Sequence, residues 1–243
     1  MKGIDAPLGS VATDDGRYYE WKGERFISVT NVLQHTISKP VLVPWAAKLV
    51  AEFGKANPGL DIKEWKKQPT LVKDKASERG TNIHAWCEQF FLNPAAAVAA
   101  IPHEYSKECI GFIKAVERFQ IVPIAAEATV YSRAHGHAGT NDFFGTILGQ
   151  PAGADIKTGK NVYPEYALQI AAYSNAEFVG LPDGSEAPIP LTAKSYVIHV
   201  DHGTTRLIPL RSSPKEFEAF ICAVGLARWL VEESKHVIGK EVK

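Results

Sequence analysis

The sequence predicts an α/β fold in which a mixed central β-sheet is flanked by helices and preceded by a helical block. Apolar residues make up 45% of the 243 residues, which is enough for a substantial core. Helical periodicity dominates the first half, whereas the second half alternates between strand-like and helix-like segments. We expect one domain over 1–243, with a hairpin and helical region at 1–68 and the sheet-containing core at 69–243.

The composition limits the classes of protein that the chain can belong to. Lysine plus arginine and aspartate plus glutamate both total 27, so the net charge is zero and any basic surface must be a local patch. No apolar run approaches the ~20 residues of a membrane span, and the start lacks the apolar region of a signal peptide. We therefore expect a cytoplasmic protein that does not engage a membrane.

The elements of the first half have clear start and stop signals. They are a hairpin over 17–29, a helix from the N-cap Thr30 to Ile37, a helix over 45–53 closed by Gly54, a short helix from a capping box at 61–64 to Lys67, a long helix over 71–92 after Pro69, an Ala-rich connection of uncertain structure over 95–101, and a helix over 104–119.

The second half supplies the sheet. Its expected elements are strands over 124–131, 138–148 and 152–157, a helix from Pro164 to Phe178, a loop over 182–190, a hairpin of 193–200 and 204–210, and a final helix after a capping box at 213–216.

Two acids and a lysine lie at the ends of two short apolar runs in the second and third of these strands. Asp142 follows Gly139-Thr140, and Asp155-Ile156-Lys157 ends the third strand. Side chains alternate along a strand, so Asp155 and Lys157 share one face while Ile156 enters the core. Buried charge is costly without a partner, which favours a bound divalent cation at this position. The alternative is a simple salt bridge between Asp155 and Lys157.

Two further residues are candidates for the same site. His84 lies on the long helix, where a structural histidine is the alternative, and Glu127 lies on the first strand, where an edge-strand acid is the alternative. For Asp142 the alternative is an ordinary turn residue. Carboxylates combined with one histidine suit Mg²⁺ or Mn²⁺, which keep open positions for a phosphate.

The helix after Lys157 carries Gln169 and Tyr173 four residues apart, so both share a face that looks back at the strand ends. The alternative is an amide and a half-buried tyrosine on an ordinary amphipathic helix.

Taken together, these motifs resemble the RecB-like branch of the PD-(D/E)xK nucleases, in particular its phage and CRISPR-associated exonucleases. The resemblance covers roughly residues 78–175. The matching residues are Gly80-x-x-x-His84, Glu127, Gly139-Thr140-x-Asp142, Asp155-x-Lys157-Thr158-Gly159 and Gln169-x-x-x-Tyr173.

The resemblance implies a restriction-endonuclease-like core in a single nuclease domain. It further implies a metal-dependent DNA exonuclease that acts on DNA ends or single strands in phage or bacterial recombination or repair, with a recombination protein as a partner, in the host cytoplasm if the protein is phage-encoded. A non-catalytic DNA-binding module and an endonuclease on the same core are the alternatives.

The resemblance also assigns roles to residues. One or two Mg²⁺ or Mn²⁺ ions would be held by His84, Asp142, Asp155 and the main-chain carbonyl of Ile156. Asp142, Asp155, Lys157 and Glu127 would be the catalytic residues, with Lys157 assisting the attacking water. Gln169, Tyr173, Arg79 and Thr158 would orient the site and the DNA.

The chain departs from many relatives of that branch in its cysteines. An iron–sulfur cluster requires about four thiolates, whereas this chain has three, Cys87, Cys109 and Cys222, in the wrong places and without a CxxC pair. We expect no iron–sulfur cluster, disulfide framework or zinc ribbon. A milder departure is Asp155, where many members of the superfamily have glutamate.

The segment from Lys63 to Arg79 is locally basic, with six basic residues, three acids and the embedded Trp65. Such a segment suits contacts with DNA phosphates and an unpaired base. The alternative is a solvated helix face.

Overall fold

The structure, a computed structural model, describes residues 9–13 and 16–242. It contains a curled, mixed sheet of ten strands with helices on both faces, which confirms the expected α/β class. In the described part of the chain, no helix combines the length and apolar character needed to cross a membrane.

The N-terminal strands form an antiparallel meander of β1 (Ser10–Thr13), β2 (Gly16–Trp21) and β3 (Glu24–Ser28). The expected hairpin is therefore confirmed. Its turn places Lys22 and Gly23 at φ 50° and 81°, a conformation that glycine adopts without steric cost. Aromatic side chains from this meander pack on the strand that contains Tyr131, and the ring centroids of Trp21 and Tyr131 lie 5.2 Å apart.

Helix α1 (Val29–Thr36) begins one residue before the predicted N-cap. Ser28 takes the N-cap position and Thr30 lies in the first turn, where the two hydroxyl oxygens are 2.8 Å apart. Helix α2 (Leu42–Ala56) also begins earlier than expected, because a proline such as Pro44 is tolerated in a first turn. Gly54 does not close α2 and instead packs against the indole ring of Trp65.

Helix α3 (Ile62–Leu92) is one continuous helix of 31 residues, so the prediction of two helices separated at Pro69 was wrong. The surrounding residues are largely exposed, and water can satisfy the carbonyl that proline leaves without a donor. The predicted capping box is incomplete: Asp61 accepts from the Lys63 N–H, but Glu64 pairs with Lys67. The junction proposed between 68 and 69 lies inside α3.

The Ala-rich connection forms helix α4 (Pro94–Ala99), which the sequence left undecided. Asn93 caps it by accepting a hydrogen bond from the Ala96 N–H at 3.1 Å. Helix α5 (Ser106–Arg118) follows a short 3₁₀ turn over 103–105.

The centre of the sheet is the antiparallel meander β4 (Val122–Ser132), β5 (His137–Ile147) and β6 (Gln150–Lys157), close to the predicted strands. Helix α6 (Glu165–Ser174) leads back to β9 (Lys194–Asp201), which lies parallel to β6. The strand β10 (Thr204–Leu210) pairs with β9 and confirms the expected hairpin.

Helix α6 ends at Ser174 rather than at Phe178. Phe178 begins the short strand β7 (Phe178–Gly180), which pairs with β4, and its ring stacks on Tyr131. The expected loop over 182–190 contains β8 (Glu186–Ala187). Helix α7 (Pro214–Arg228) has the predicted capping box between Ser213 and Glu216.

Two hydrophobic clusters show how the helices cover the sheet. Residues of α3 and α5 pack on one face together with Phe143 and Ile156. Residues of α1, α6 and α7 pack on the other face together with Phe144. Because neighbouring strand residues point to opposite faces, α3 and α6 approach β5 and β6 from opposite sides.

Candidate active site

The two aspartates of the predicted site lie on adjacent strands. Phe143 pairs with Ala154, and Asp142 and Asp155 come next on their strands. The Ile156 backbone N–H donates to Asp142 Oδ2 at 2.6 Å. The contact of the Ile156 backbone with this site is therefore made by its N–H, and the predicted ligation by its carbonyl stays a prediction. Both carboxyl groups are almost fully buried.

His84 reaches the site from α3. Its Nε2 lies 2.8 Å from Asp142 Oδ2, and its Nδ1 lies 3.4 Å from Glu127 Oε1. One turn earlier on the helix, a Cβ at Gly80 would come within 2.9 Å of Thr158 Oγ1. The absence of a side chain at Gly80 thus lets α3 approach the end of β6 and bring His84 to the carboxylates.

Glu127 has an unusual backbone for a residue within a strand. Its φ is 50°, which is a left-handed conformation that costs a residue other than glycine about 1–3 kcal/mol. Its neighbours Ala126 and Ala128 pair with Phe143 and Asn141, so Glu127 lies opposite Asp142. Strained backbone of this kind clusters at functional sites, which supports a functional role for Glu127.

One ligand atom each from His84, Glu127 and Asp142 lies within 4.8 Å of the others. One imidazole nitrogen and two carboxylate oxygens suit Mg²⁺ or Mn²⁺, so the residues fit the expected cation. Asp155 is not among these three, although the resemblance assigned it as a ligand and gave Glu127 a catalytic role alone.

Asp155 is instead held by Lys157 and α6. Asp155 Oδ2 forms an ion pair with Lys157 Nζ, which also lies 4.8 Å from the centre of the Tyr166 ring. Gln169 Nε2 donates to Asp155 Oδ1 at 3.0 Å and to the Tyr173 hydroxyl at 3.1 Å. The structure thus agrees with the expectation that Asp155 and Lys157 share a face and that Gln169 and Tyr173 look back at the strand ends.

The site holds three carboxyl groups but only two basic groups, His84 and Lys157, and this excess of acids together with burial shifts the pKa values. Burial alone would lower the pKa of His84, but Asp142 and Glu127 raise it to about 9. Burial opposes ionisation of Asp142, yet the charges of His84 and Lys157 lower its pKa. Burial and then Asp142 raise the pKa of Glu127 to about 8. Burial also raises the pKa of Asp155 to about 7, against the effect of Lys157. A divalent cation would favour the ionised carboxylates.

The loop after Lys157 is held from two directions. Arg79 donates to the Thr158 carbonyl at 3.4 Å and to Glu108 Oε1 at 2.5 Å, so its guanidinium holds the loop against α3 and α5. His199 Nε2 lies 2.6 Å from the Gly159 carbonyl oxygen. The predicted orienting role of Arg79 and Thr158 toward DNA stays a prediction.

Sequence reasoning missed two residues near the site. Glu88 lies one turn beyond His84 on α3, and burial raises its pKa, which the charge of His84 opposes. The sequence could have indicated Glu88, because residues four apart on a helix share a face and Glu88 follows His84 by four residues. His199 gave no such signal, because its contact depends on the parallel register that places it beside Lys157.

A cavity of about 730 Å³ adjoins the site on the α6 side and is lined by α1, the start of α2 and α6. Gln169 and Tyr166 line it near the site, and Lys73 lines it from α3. The first half of α3 is otherwise largely exposed, and Trp65 within it is half-buried against Gly54.

No protein-family model matches the chain, and a search of curated proteins finds none that matches it.

Proposed function

We propose that this protein is a metal-dependent DNA exonuclease with a restriction-endonuclease-like PD-(D/E)xK core. The observation that carries the proposal is the convergence of His84, Glu127 and Asp142 within 4.8 Å. Beside this trio, Asp155 and Lys157 form an ion pair at the end of the adjacent strand. The combination of cation ligands with a neighbouring lysine suits hydrolysis of a phosphodiester bond.

Mg²⁺ or Mn²⁺ would be held by His84, Asp142 and Glu127. Asp155 lies beside Asp142 on the adjacent strand and could contribute a further carboxylate. Such an ion activates water and neutralises the charge that develops on the attacked phosphate. Whether one or two ions bind, and the expected lack of an iron–sulfur cluster, stay predictions.

Lys157 supplies positive charge and hydrogen-bond donors next to the trio. Its ammonium group can donate to a phosphate oxygen or orient the attacking water while Asp155 holds it in place. Gln169 keeps Asp155 oriented by a hydrogen bond from α6. The site is therefore positioned by helices on both faces of the sheet before any substrate arrives.

The preference for DNA ends or single strands rests on the resemblance of the motifs and on the basic, exposed stretch of α3. The setting in recombination or repair, with a recombination protein as partner, belongs to the same proposal and rests on the resemblance alone.

The test is cleavage of end-labelled linear DNA beside a covalently closed circle of the same sequence, with Mg²⁺ or Mn²⁺ present. An exonuclease degrades the linear DNA and spares the circle. Equal cutting of the circle would instead support an endonuclease on the same core. Well-folded protein that binds DNA tightly but cuts neither substrate would overturn the enzymatic proposal in favour of a DNA-binding module.

A further inference from the structure

A second cleft, which we term the arginine cleft, lies between the β2–β3 hairpin, α1 and the turn before β5. Its volume is about 240 Å³. The proposed nuclease mechanism uses none of its residues. The polar side chains that line it are Arg17, Arg25, Arg228, Asn31, His35 and Glu232.

The arginine cleft carries excess positive charge. Three arginines face one carboxylate, Glu232, among the lining residues that the structure describes. None of the three guanidinium groups lies within ion-pair distance of a carboxylate in the described part of the chain. Guanidinium groups of like charge that converge on one cleft repel one another, and an anion bound between them would relieve this repulsion.

Two of these arginines are held in place before any ligand binds. The Arg25 guanidinium stacks over the Tyr18 ring, 3.8 Å from its centre. Arg228 Nη2 donates to the His135 carbonyl at 2.9 Å and to the Gly136 carbonyl at 3.1 Å.

Gly136 is required for this arrangement. Its φ is 61°, and a Cβ there would come within 2.1 Å of Arg228 Nη2. Fixed guanidinium groups lose little freedom on binding and match the paired oxygens of a phosphate. The cleft therefore combines charge, rigidity and geometry that suit a phosphate group.

We propose that the arginine cleft binds a phosphate group, supplied either by a nucleic-acid strand or by a free nucleotide. His35 lines both this cleft and the cavity that reaches Gln169, so a strand leaving the candidate active site along α1 would meet the arginines. The free nucleotide is the second source of the same chemistry. Binding there needs no cleavage, and the proposal goes beyond the nuclease activity.

The experiment measures binding in the presence of EDTA, so that cleavage plays no part. One arm follows the fluorescence anisotropy of a labelled single-stranded oligonucleotide, and the other follows a fluorescent deoxynucleoside triphosphate. In Arg17→Gln/Arg25→Gln we expect binding about tenfold weaker or more, with a salt dependence lower by about one to two counterions. Glu232→Gln, at an exposed position, should strengthen binding, and Arg118→Gln on α5 serves as a matched control.

The two arms distinguish the sources of the phosphate. Arginine-dependent binding of the oligonucleotide alone identifies a strand, whereas arginine-dependent binding of the triphosphate identifies a free nucleotide. Unchanged affinity in both arms, from a double variant with native circular dichroism, would overturn the proposal, as would Glu232→Gln with unaltered affinity for a probe whose binding depends on the arginines. Arginine-dependent binding by a protein that never cleaves DNA would keep this proposal and defeat only the nuclease proposal.

Discussion

His199 is hydrogen-bonded to the carbonyl oxygen of Gly159, two residues beyond Lys157, across 2.6 Å. Arg206 Nη2 lies 2.9 Å from His199 Nδ1. An arginine only donates hydrogen bonds, so Nδ1 must accept and Nε2 must carry the proton that goes to Gly159. A fully buried, neutral imidazole therefore anchors the loop that follows Lys157, the proposed catalytic lysine.

Loss of this anchor is expected to lower the catalytic rate. His199→Ala removes the donor to the Gly159 carbonyl oxygen, so the loop that follows Lys157 loses the hydrogen bond that fixes it. We expect kcat for linear DNA to fall about tenfold or more while KM changes little. His199→Gln, whose amide retains a donor, should recover part of the rate. If KM rises and kcat is unchanged, the loop positions the substrate and not Lys157.

Removal of the lysine itself should have a larger effect. Lys157→Ala removes the ammonium group beside the proposed cation ligands, and loss of one such group lowers rates by about 10²–10³-fold. The measurement is single-turnover cleavage of end-labelled DNA. Lys160→Ala is the matched control, because Lys160 is exposed in the loop that follows Lys157. A Lys157→Ala rate close to wild type would mean that the active site lies elsewhere.

A substitution at Gly139, in the Gly-Thr motif, would test how α6 supports the site. A Cβ at this position would come within 2.6 Å of Tyr173 Cε1. We expect Gly139→Ala to push the Tyr173 ring away and to disturb the hydrogen bond from Gln169 to Asp155. Cleavage should fall, and Tyr173→Leu should restore part of it in the Gly139→Ala background by removing the clash. Independent effects of the two changes in this double-mutant cycle would contradict the proposed contact.

The sequence predicted the central strands well because strands that are buried on both faces of a sheet consist of short, nearly continuous runs of apolar and small residues. The pairing of Asp155 with Lys157 followed from the period of two along a strand. Pro69 misled the prediction because proline breaks a helix reliably only where the freed carbonyl cannot reach water. The end of α6 was misjudged because Phe178 is apolar enough for either a helix or the strand that pairs with β4.

The composition of the site was less accessible to sequence reasoning. Glu127 contacts His84 from a backbone with positive φ. No local sequence pattern around Glu127 predicts that conformation. His199 and Gly159 are 40 residues apart, and their contact arises from the parallel register of β6 and β9. Contacts that depend on register or on strained backbone do not follow from spacing alone.

Thermal unfolding with and without Mn²⁺ can identify which residues bind the cation. At an ion concentration 100 times Kd, binding stabilises the folded protein by about 2.7 kcal/mol, which raises Tm by about 5–10 °C. We expect Glu127→Gln and Asp142→Asn to lose most of this shift. Asp155→Asn distinguishes the two candidate sets: a retained shift supports the trio of the structure, and a lost shift adds Asp155 to it. An unchanged shift in all three variants would place the ion elsewhere.

His137 should make the stability of the fold sensitive to acid. Its ring is fully buried, Nε2 lies 3.2 Å from the Ala172 carbonyl oxygen, and Nδ1 is buried without a hydrogen-bond partner among the residues that the structure describes. Burial lowers the pKa of His137 from 6.5 to about 4, despite the opposing hydrogen bond to Ala172. Between these two pH values His137 is protonated in the unfolded chain but not in the folded chain. The contribution of His137 to the free energy of unfolding is therefore complete above pH 6.5 and is lost as the pH falls toward 4.

At pH 5 the loss amounts to about 2 kcal/mol relative to pH 7. The measurement is urea unfolding at both pH values. His137→Gln should show a smaller pH dependence than wild type by about that amount, even if it is less stable at pH 7. His103→Gln, at an exposed position, should keep the wild-type dependence. Equal pH dependence in all three proteins would show that His137 does not titrate below its ordinary range.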